Sequence, residues 1–166
     1  MTSMVGAGCG RTDWVERGGV FDERACRAAA AGGQLRVLQY LRGRDCPWDS
    51  DTCRGAAMHG HLRVLRWARG EGCPWNGGTC WGAAYGGHLE VLQWASGEGC
   101  PWDSNTCLVA AQYGHLEVIK WVIRNGCPYD GRYFEIYISD PDFHKWFGDY
   151  KANNPLEVFD PDSVFD

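Results

Sequence analysis

The 166-residue sequence lacks any long hydrophobic run. Residues 1–18 hold no apolar stretch like that of a signal peptide, and no segment has the length and apolarity of a membrane span. Excess positive charge is also missing, since the formal net charge is -5. Nucleic acids and anionic membranes need a basic surface. We therefore expect an intracellular protein of the cytoplasm, with the nucleus as the alternative, that binds neither nucleic acid nor membrane.

Motifs for catalysis and cofactor binding are missing as well. The glycines follow neither a Gly-x-Gly-x-x-Gly nor a P-loop pattern, and no Ser/His/Asp or Cys/His arrangement stands out. No two cysteines have the Cys-x2-Cys spacing of a zinc knuckle. The sequence thus predicts a protein that is not an enzyme and that needs no cofactor.

What the sequence does contain is a repeat of 27 residues. Its clearest copy begins at Cys46 as CPWDSDTC and returns at Cys73 as CPWNGGTC and at Cys100 as CPWDSNTC. Fainter copies begin in phase at Gly19 and Cys127. A fixed period of roughly 20–50 residues indicates a repeat architecture, in which each unit buries its apolar surface against its neighbours.

Each unit is predicted to fold as two helices joined by a tight turn. In residues 46–72, Asp49 is a suitable N-cap for a first helix over about residues 50–59, and Gly60 suits a left-handed helix end. A second helix over about residues 62–70 is apolar over a wide arc, as for a helix packed between two neighbours. The capping column reads Asp22, Asp49, Asn76, Asp103 and Asp130, and the glycine column reads Gly33, Gly60, Gly87 and Gly114.

A family resemblance follows from these residues. Thr52-Cys-Arg-Gly-Ala-Ala57 and Gly60-His-Leu-Arg-Val-Leu65 resemble the ankyrin repeat, whose pattern runs Thr-Pro-Leu-His-x-Ala-Ala and then Gly-His-x-x-Val-Val. The period is shorter than the roughly 33 residues of that family, and Cys-Pro-Trp-Asp stands where the family has a β-hairpin. The sequence is similar to short ankyrin-like repeats of large DNA viruses and some protists. The resemblance implies an all-α, ankyrin-like helix-turn-helix solenoid with hairpins shortened to turns, acting in the host-cell cytoplasm if the chain is viral.

The predicted organisation has three parts. A flexible N-terminus (1–13) precedes the repeat stack (14–151), and an acidic tail (152–166) follows it. The units of the stack are 19–45, 46–72, 73–99, 100–126 and a capping unit at 127–151. In the capping unit, Asp140-Pro-Asp begins a helix whose aromatic face closes the stack, namely Phe143, Trp146, Phe147 and Tyr150. The tail residues Phe159 and Phe165 are solvated, docked on the last helix, or part of a short linear motif.

The nine cysteines suggest disulfides, but their positions favour thiols. One column holds Cys26, Cys53, Cys80 and Cys107, and another holds Cys46, Cys73, Cys100 and Cys127. Helical layers lie roughly 8–10 Å apart, whereas a disulfide needs Cα atoms within about 7 Å. Equivalent cysteines of neighbouring layers are thus too far apart to pair. We expect reduced, buried, poorly reactive thiols, with Cys9 exposed outside the repeat.

The histidine and tryptophan columns are predicted to be framework. His61, His88 and His115 begin second helices and are expected to hydrogen-bond the inter-helix turn rather than to bind metal, because the layer spacing far exceeds metal–ligand bonds of about 2.0–2.3 Å. The tryptophans of the connectors and of the second helices also recur in phase. Trp81 is the exception, since its column reads Arg27, Arg54, Trp81 and Leu108.

Columns that change between units point to a binding surface. They are 54/81/108, 55/82/109, 58/85/112 and 59/86/113, all on the first helix, which lines the concave face of ankyrin-like stacks. The predicted partner-binding residues are Arg54, Met58, Trp81, Tyr85, Leu108, Gln112 and Tyr113, an aromatic and apolar set typical of interface centres. Drift of these columns on a neutral surface is the competing interpretation.

Two functional hypotheses follow. The first is a monomeric, non-enzymatic scaffold that binds another protein on the concave face of the stack. The alternative is a Cys/His-rich metal-binding or redox module built on repeats. Bound zinc near stoichiometry would favour the alternative.

Overall fold

The structure is a computed structural model that describes residues 22–127, 129, 134 and 136–154. The predicted flexible N-terminus, Cys9, the Asp130 cap and the tail phenylalanines lie outside the described residues. Within the described part the fold is all-α, with nine helices and no strand. The helices are α1 Glu23–Ala31, α2 Leu35–Arg42, α3 Ser50–Met58, α4 Leu62–Gly70, α5 Gly77–Tyr85, α6 Leu89–Gly97, α7 Ser104–Gln112, α8 Leu116–Arg124 and α9 Pro141–Asn153.

The chain forms two compact units, Met1–Pro101 and Trp102–Asp166, called here the N-terminal and C-terminal units. In the N-terminal unit the first helices pack side by side, with α3 against both α1 and α5. Each first helix also packs on its own second helix, as α1 on α2, α3 on α4 and α5 on α6. This is the packing of an all-α helical repeat, as predicted. That residues 14–151 form one stack stays a prediction.

The predicted capping residues begin the first helices. The Asp49 side chain accepts a hydrogen bond from the Asp51 N–H at 3.1 Å, and Asn76 accepts one from the Gly78 N–H at 2.9 Å. Asp22 and Asp103 cap α1 and α7 in the same way. Each cap satisfies a backbone donor that would otherwise have no partner in the first turn, so the predicted helix starts are confirmed.

The turn between paired helices needs a left-handed residue. At Gly60 the φ angle is 76°, and the following His61 N–H donates to the Ala56 carbonyl at 2.8 Å. This closes α3 with a Schellman motif. A second set of equivalent residues with positive φ follows the second helices. Asp45 (φ 56°) has this position in the first unit, and later units have glycine there. The glycine column therefore has the predicted role.

Small residues form the contact between first helices. Ala56 and Ala57 of α3, and Ala83 and Ala84 of α5, are fully buried. The second helices bury larger residues, such as Val64 and Leu65 in α4. The first helices thus bury small side chains and the second helices bury large ones. The small side chains let neighbouring first helices approach each other closely.

The C-terminal unit ends in a helix that differs from the others. The Asp140 carboxylate accepts from the Phe143 N–H at 2.9 Å, and Pro141 occupies the first turn of α9. Phe143 and Phe147 are buried against Phe134, with ring centroids 5.6 and 4.9 Å away. The predicted aromatic face is therefore present, although its members Trp146 and Tyr150 are only half-buried.

Candidate binding surface

Helix α5 separates a packed face from an aromatic face. Its buried residues are Thr79, Cys80, Gly82, Ala83 and Ala84. Trp81 and Tyr85 lie on the remaining side, both half-buried. They are one helical turn apart, and their rings stack with centroids 5.3 Å apart and an angle of 28° between the planes. Residues spaced i and i+4 are neighbours on a helix surface, so the sequence itself brings this pair together.

The equivalent positions of the adjacent helix α3 hold Arg54 and Met58. Both side chains are half-buried. The Arg54 guanidinium lies 3.2 Å from the Asp51 carboxylate, in an ion pair within α3. The structure thus brings four predicted residues together on two neighbouring helices of the N-terminal unit. We call Arg54, Met58, Trp81 and Tyr85 the first-helix patch.

The remaining three predicted residues belong to the C-terminal unit. Leu108 is half-buried on α7, and Gln112, the last residue of that helix, is exposed. Tyr113, the residue that ends α7, is 50% exposed. These three residues are described separately from the first-helix patch, and their part in partner binding stays a prediction.

Two of the changing columns are constrained by packing, which corrects the prediction that all four are open to a partner. Gly82 and Val109 of the 55/82/109 column are buried. A Cβ at Gly82 would lie 3.0 Å from the Arg54 carbonyl oxygen, and one at Gly86 would lie 2.2 Å from the Met58 carbonyl oxygen. Glycine is present at these positions because α5 approaches α3 closely. The glycines of these two columns were the only sequence signal for this.

Charges beside the first-helix patch balance each other. Arg27 of α1 donates through Nε to the Asp49 carboxylate at 3.0 Å and also forms an ion pair with Asp51. The hydrogen bond from Arg27 holds the pKa of Asp49 below its usual value. Asp51 in turn pairs with Arg54. Two arginines and two aspartates therefore form a series of ion pairs across α1 and α3. This contact between two repeat units was not predicted from the sequence.

His61 joins two neighbouring repeat units. His61 Nε2 hydrogen-bonds the Ala31 carbonyl oxygen at 3.0 Å, which lies at the end of the first helix of the preceding unit. A Cβ at Gly33 or Gly60 would lie 2.7 Å from the ring of His61 or His88, respectively. The predicted framework role is retained, but the partner of His61 differs from the predicted inter-helix turn. Among the described residues no group of three or more His, Cys, Asp or Glu side chains could hold a metal ion.

The repeated tryptophans form a second aromatic surface, on the connectors and second helices. Trp48 contacts Trp67 at 5.9 Å and Trp75 contacts Trp94 at 5.8 Å between ring centroids. The guanidinium groups of Arg42 and Arg69 lie 4.2 and 4.1 Å from the rings of Trp48 and Trp75, within cation–π range. In the C-terminal unit, Trp102 and Trp121 also pair, with ring centroids 5.4 Å apart but an angle of 32° between the planes, against 61° and 59° in the other two pairs. The pairs recur in phase, as predicted for framework residues.

The cysteines lie in pairs that the sequence analysis missed. The Sγ atoms of Cys26 and Cys46 are 3.4 Å apart, and each residue comes from a different column. Three further pairs, each 20 residues apart in sequence, are identified because the hydrogen bond with the partner thiol raises the pKa of Cys73, Cys80 and Cys107: Cys53–Cys73, Cys80–Cys100 and Cys107–Cys127. The Cys80 thiol also donates to the Cys100 carbonyl oxygen at 3.8 Å. All eight are buried, free thiols. A comparison of equivalent cysteines cannot reveal these pairs, because each contact joins a first helix to the next connector.

The comparisons with known proteins leave the family open. No family model matches the chain, and no curated protein is significantly similar to it. Among the described helices none is long and apolar enough to cross a membrane.

Proposed function

We propose that this chain is a non-enzymatic interaction module with an ankyrin-like repeat, which binds another protein through the first-helix patch. The observation that carries the proposal is the stacked Trp81–Tyr85 pair, half-exposed on α5. Tryptophan, tyrosine and arginine are the residues most enriched among those that dominate binding energy at protein interfaces. The partner is a protein, and the module needs neither a cofactor nor a second copy of itself.

The repeat itself supports this proposal. At the position of Trp81 the preceding units have Arg27 and Arg54, and at the position of Tyr85 the preceding unit has Met58. The fold therefore accepts several side chains at these two positions. An aromatic pair that packing does not require is best explained by a contact outside the chain. In ankyrin-like stacks the same helices face the bound partner, which is why we assign the patch to partner binding.

The experiment replaces the aromatic pair with residues that the chain already uses at equivalent positions. Trp81→Arg installs the residue of position 54, and Tyr85→Met installs that of position 58. Each immobilised variant is compared with the unaltered chain in capture from extracts of its native cell, with quantitative mass spectrometry. Loss of a central anchor costs about 2 kcal/mol, so we expect about thirtyfold weaker capture of the main partner.

The matched control changes the repeated aromatic surface. Trp94→Tyr installs the residue that position 40 holds in the same column, and it should leave capture unchanged. Circular dichroism and thermal melts establish that all three variants are folded. The proposal fails if both patch variants are folded and still capture every partner as strongly as the unaltered chain.

The alternative, a metal-binding or redox module, has one observation in its favour, which is the pairing of the cysteines. Elemental analysis and a thiol count on the purified protein separate it from the first proposal. Zinc near stoichiometry would favour the alternative.

A further inference from the structure

Pairs of buried thiols recur along the repeat, and each pair joins one repeat unit to the start of the next. The first member of each pair lies on a first helix, and the second begins the following connector. In Cys26–Cys46 both residues are at most 1% exposed, and the sulfur atoms are 3.4 Å apart. A disulfide requires about 2.05 Å, so a modest movement of the side chains would join the two sulfur atoms.

A second set of hydrogen bonds fixes the connector thiol in every unit. The acceptor is always the carbonyl oxygen of the residue that caps the first helix. The four bonds are Cys46 to Asp22 at 3.2 Å, Cys73 to Asp49 at 3.4 Å, Cys100 to Asn76 at 3.4 Å and Cys127 to Asp103 at 3.2 Å. Because this bond recurs, the connector thiol is held beside the same partner thiol in unit after unit.

We propose that each pair is a preorganised disulfide site between consecutive repeat units, and that oxidation of the folded chain forms the four bridges Cys26–Cys46, Cys53–Cys73, Cys80–Cys100 and Cys107–Cys127. Eight cysteines allow 105 complete pairings, and the packing selects one of them. The proposal does not rest on partner binding, and it gives the redox alternative a defined chemistry.

The chemistry balances with a peroxide as the oxidant. A thiolate sulfur attacks one peroxide oxygen and breaks the O–O bond, which leaves a sulfenic acid on the cysteine and, after protonation, releases water. The partner thiol then attacks the sulfenic sulfur, loses its proton and expels a second water as the S–S bond forms. Two thiols give up two electrons, and one hydrogen peroxide is reduced to two waters.

The contacts within the pairs suggest which sulfur reacts first. In two pairs the hydrogen bond with the first-helix thiol lowers the pKa of the connector thiol, Cys100 or Cys127. A lower pKa raises the thiolate fraction, and the thiolate is the nucleophile. The pKa of their partners, Cys80 and Cys107, is raised, first by the same hydrogen bond and then by burial. In these two pairs the connector cysteine should therefore be oxidised first and the first-helix cysteine should resolve it. In Cys53–Cys73 the pKa of the connector thiol is instead raised, first by the hydrogen bond with Cys53 and then by burial, so the same order is not expected there.

Burial makes the reaction slow but keeps it specific. The oxidant reaches the sulfurs only when a unit opens locally, and on reclosing each sulfur meets its own partner. Each bridge closes a loop that runs from a first helix through the second helix to the next connector. Such a constraint reduces the freedom of the unfolded chain, so the oxidised protein should melt at a higher temperature than the reduced protein.

The test oxidises the folded, full-length chain with hydrogen peroxide. The remaining thiols are then alkylated in denaturant, and the bridges are mapped without reduction after cleavage between the cysteines of each pair. We expect the four proposed bridges, with Cys9 alkylated. A chain oxidised in denaturant should instead give mixed pairings. Other pairings in the folded chain would overturn the proposal, as would thiols that stay reduced while the denatured control oxidises.

A matched variant checks the pairing one site at a time. In Cys100→Ser the hydroxyl can still donate to the Asn76 carbonyl, so the connector keeps its anchor. After oxidation Cys80 should be alkylated rather than bridged, while the other three bridges form as before. A new bridge from Cys80 to a different cysteine would contradict the proposed sites.

Discussion

The N-terminal unit has two aromatic surfaces, and only one of them repeats. On the connectors and second helices, Trp48 with Trp67 and Trp75 with Trp94 make nearly identical contacts at 5.9 and 5.8 Å. On the first helices, the Trp81–Tyr85 pair occurs once and stands where other units have arginine, methionine, leucine or glutamine. A side chain that recurs in every unit is explained by the stack, whereas a side chain that occurs once needs another explanation.

The two interfaces between first helices in this unit differ in how closely the helices approach. A Cβ on Gly55 of α3 would lie 3.5 Å from the Arg27 carbonyl oxygen of α1, but on Gly82 of α5 it would lie 3.0 Å from the Arg54 carbonyl oxygen of α3. The position equivalent to Gly86 in the preceding unit holds the exposed His59. Residues at equivalent positions can therefore differ between repeat units for two reasons: the helices are spaced differently, or the side chain contacts a partner. Contact distances in the structure distinguish the two reasons.

The largest predicted loss of stability comes from a substitution at Gly86, where α5 packs closely against α3. Gly86→Ala places a Cβ 2.2 Å from the Met58 carbonyl oxygen, and the clash is with backbone that cannot move aside easily. Overpacking of this kind costs about 3 kcal/mol. Urea unfolding followed by tryptophan fluorescence measures the loss.

The matched control is Gly55→Ala, in which the new Cβ makes contacts no shorter than 3.4 Å. Alanine has a higher helix propensity than glycine by about 1 kcal/mol, so this variant should be as stable as the unaltered chain or more stable. Equal losses of stability in the two variants would contradict the interpretation that α5 packs more closely on α3 than α3 packs on α1.

A smaller effect on stability is expected at Arg27. It occupies the same column as Trp81, but its side chain pairs with residues of the next repeat unit. Its carboxylate partner Asp49 has a lowered pKa in the folded state, first because of the hydrogen bond from Arg27. Such a group stabilises the fold above the ordinary aspartate pKa of about 3.9 and loses that contribution as the pH falls below it. The pair is more than one third exposed, which limits its worth to about 0.5 kcal/mol.

The change that tests this is Arg27→Gln, which leaves the Asp49 cap in place. The variant should be less stable than the unaltered chain at pH 7, and the difference should be smaller at pH 2, below the ordinary aspartate pKa of about 3.9. Chemical unfolding at the two pH values measures it. A difference that is equally large at both pH values would show that Arg27 acts through packing rather than through charge.

Local structure was predictable from the sequence, whereas contacts between repeat units were predictable only in part. The cap at Asp49 and the left-handed Gly60 are properties of short segments, so one unit suffices to predict them. The hydrogen bond from His61 to Ala31 and the sulfur contact of Cys26 with Cys46 join residues 30 and 20 positions apart. Comparing equivalent positions alone cannot reveal them, because they join different columns.

The candidate surface was predicted from differences between units, and here too part of the prediction needed the structure. Trp81 and Tyr85 lie together, as their spacing implies. The burial of Gly82 depends on the approach of α3, which no pattern within α5 specifies. At Gly82 and Gly86 the small residue of a changing column therefore reflects close packing rather than an open surface.

The most direct test of the difference between repeated and changing columns is one substitution made on both aromatic surfaces. Leucine replaces Trp67 in one variant and Trp81 in the other, and leucine is native at position 108 of the second column. Urea unfolding should show Trp67→Leu losing about 2 kcal/mol, since a half-buried aromatic pair is removed. Trp81→Leu should stay within about 0.5 kcal/mol of the unaltered chain. Equal losses, or a larger loss at Trp81, would contradict the assignment of the repeated aromatics to the fold and of the Trp81–Tyr85 pair to a partner.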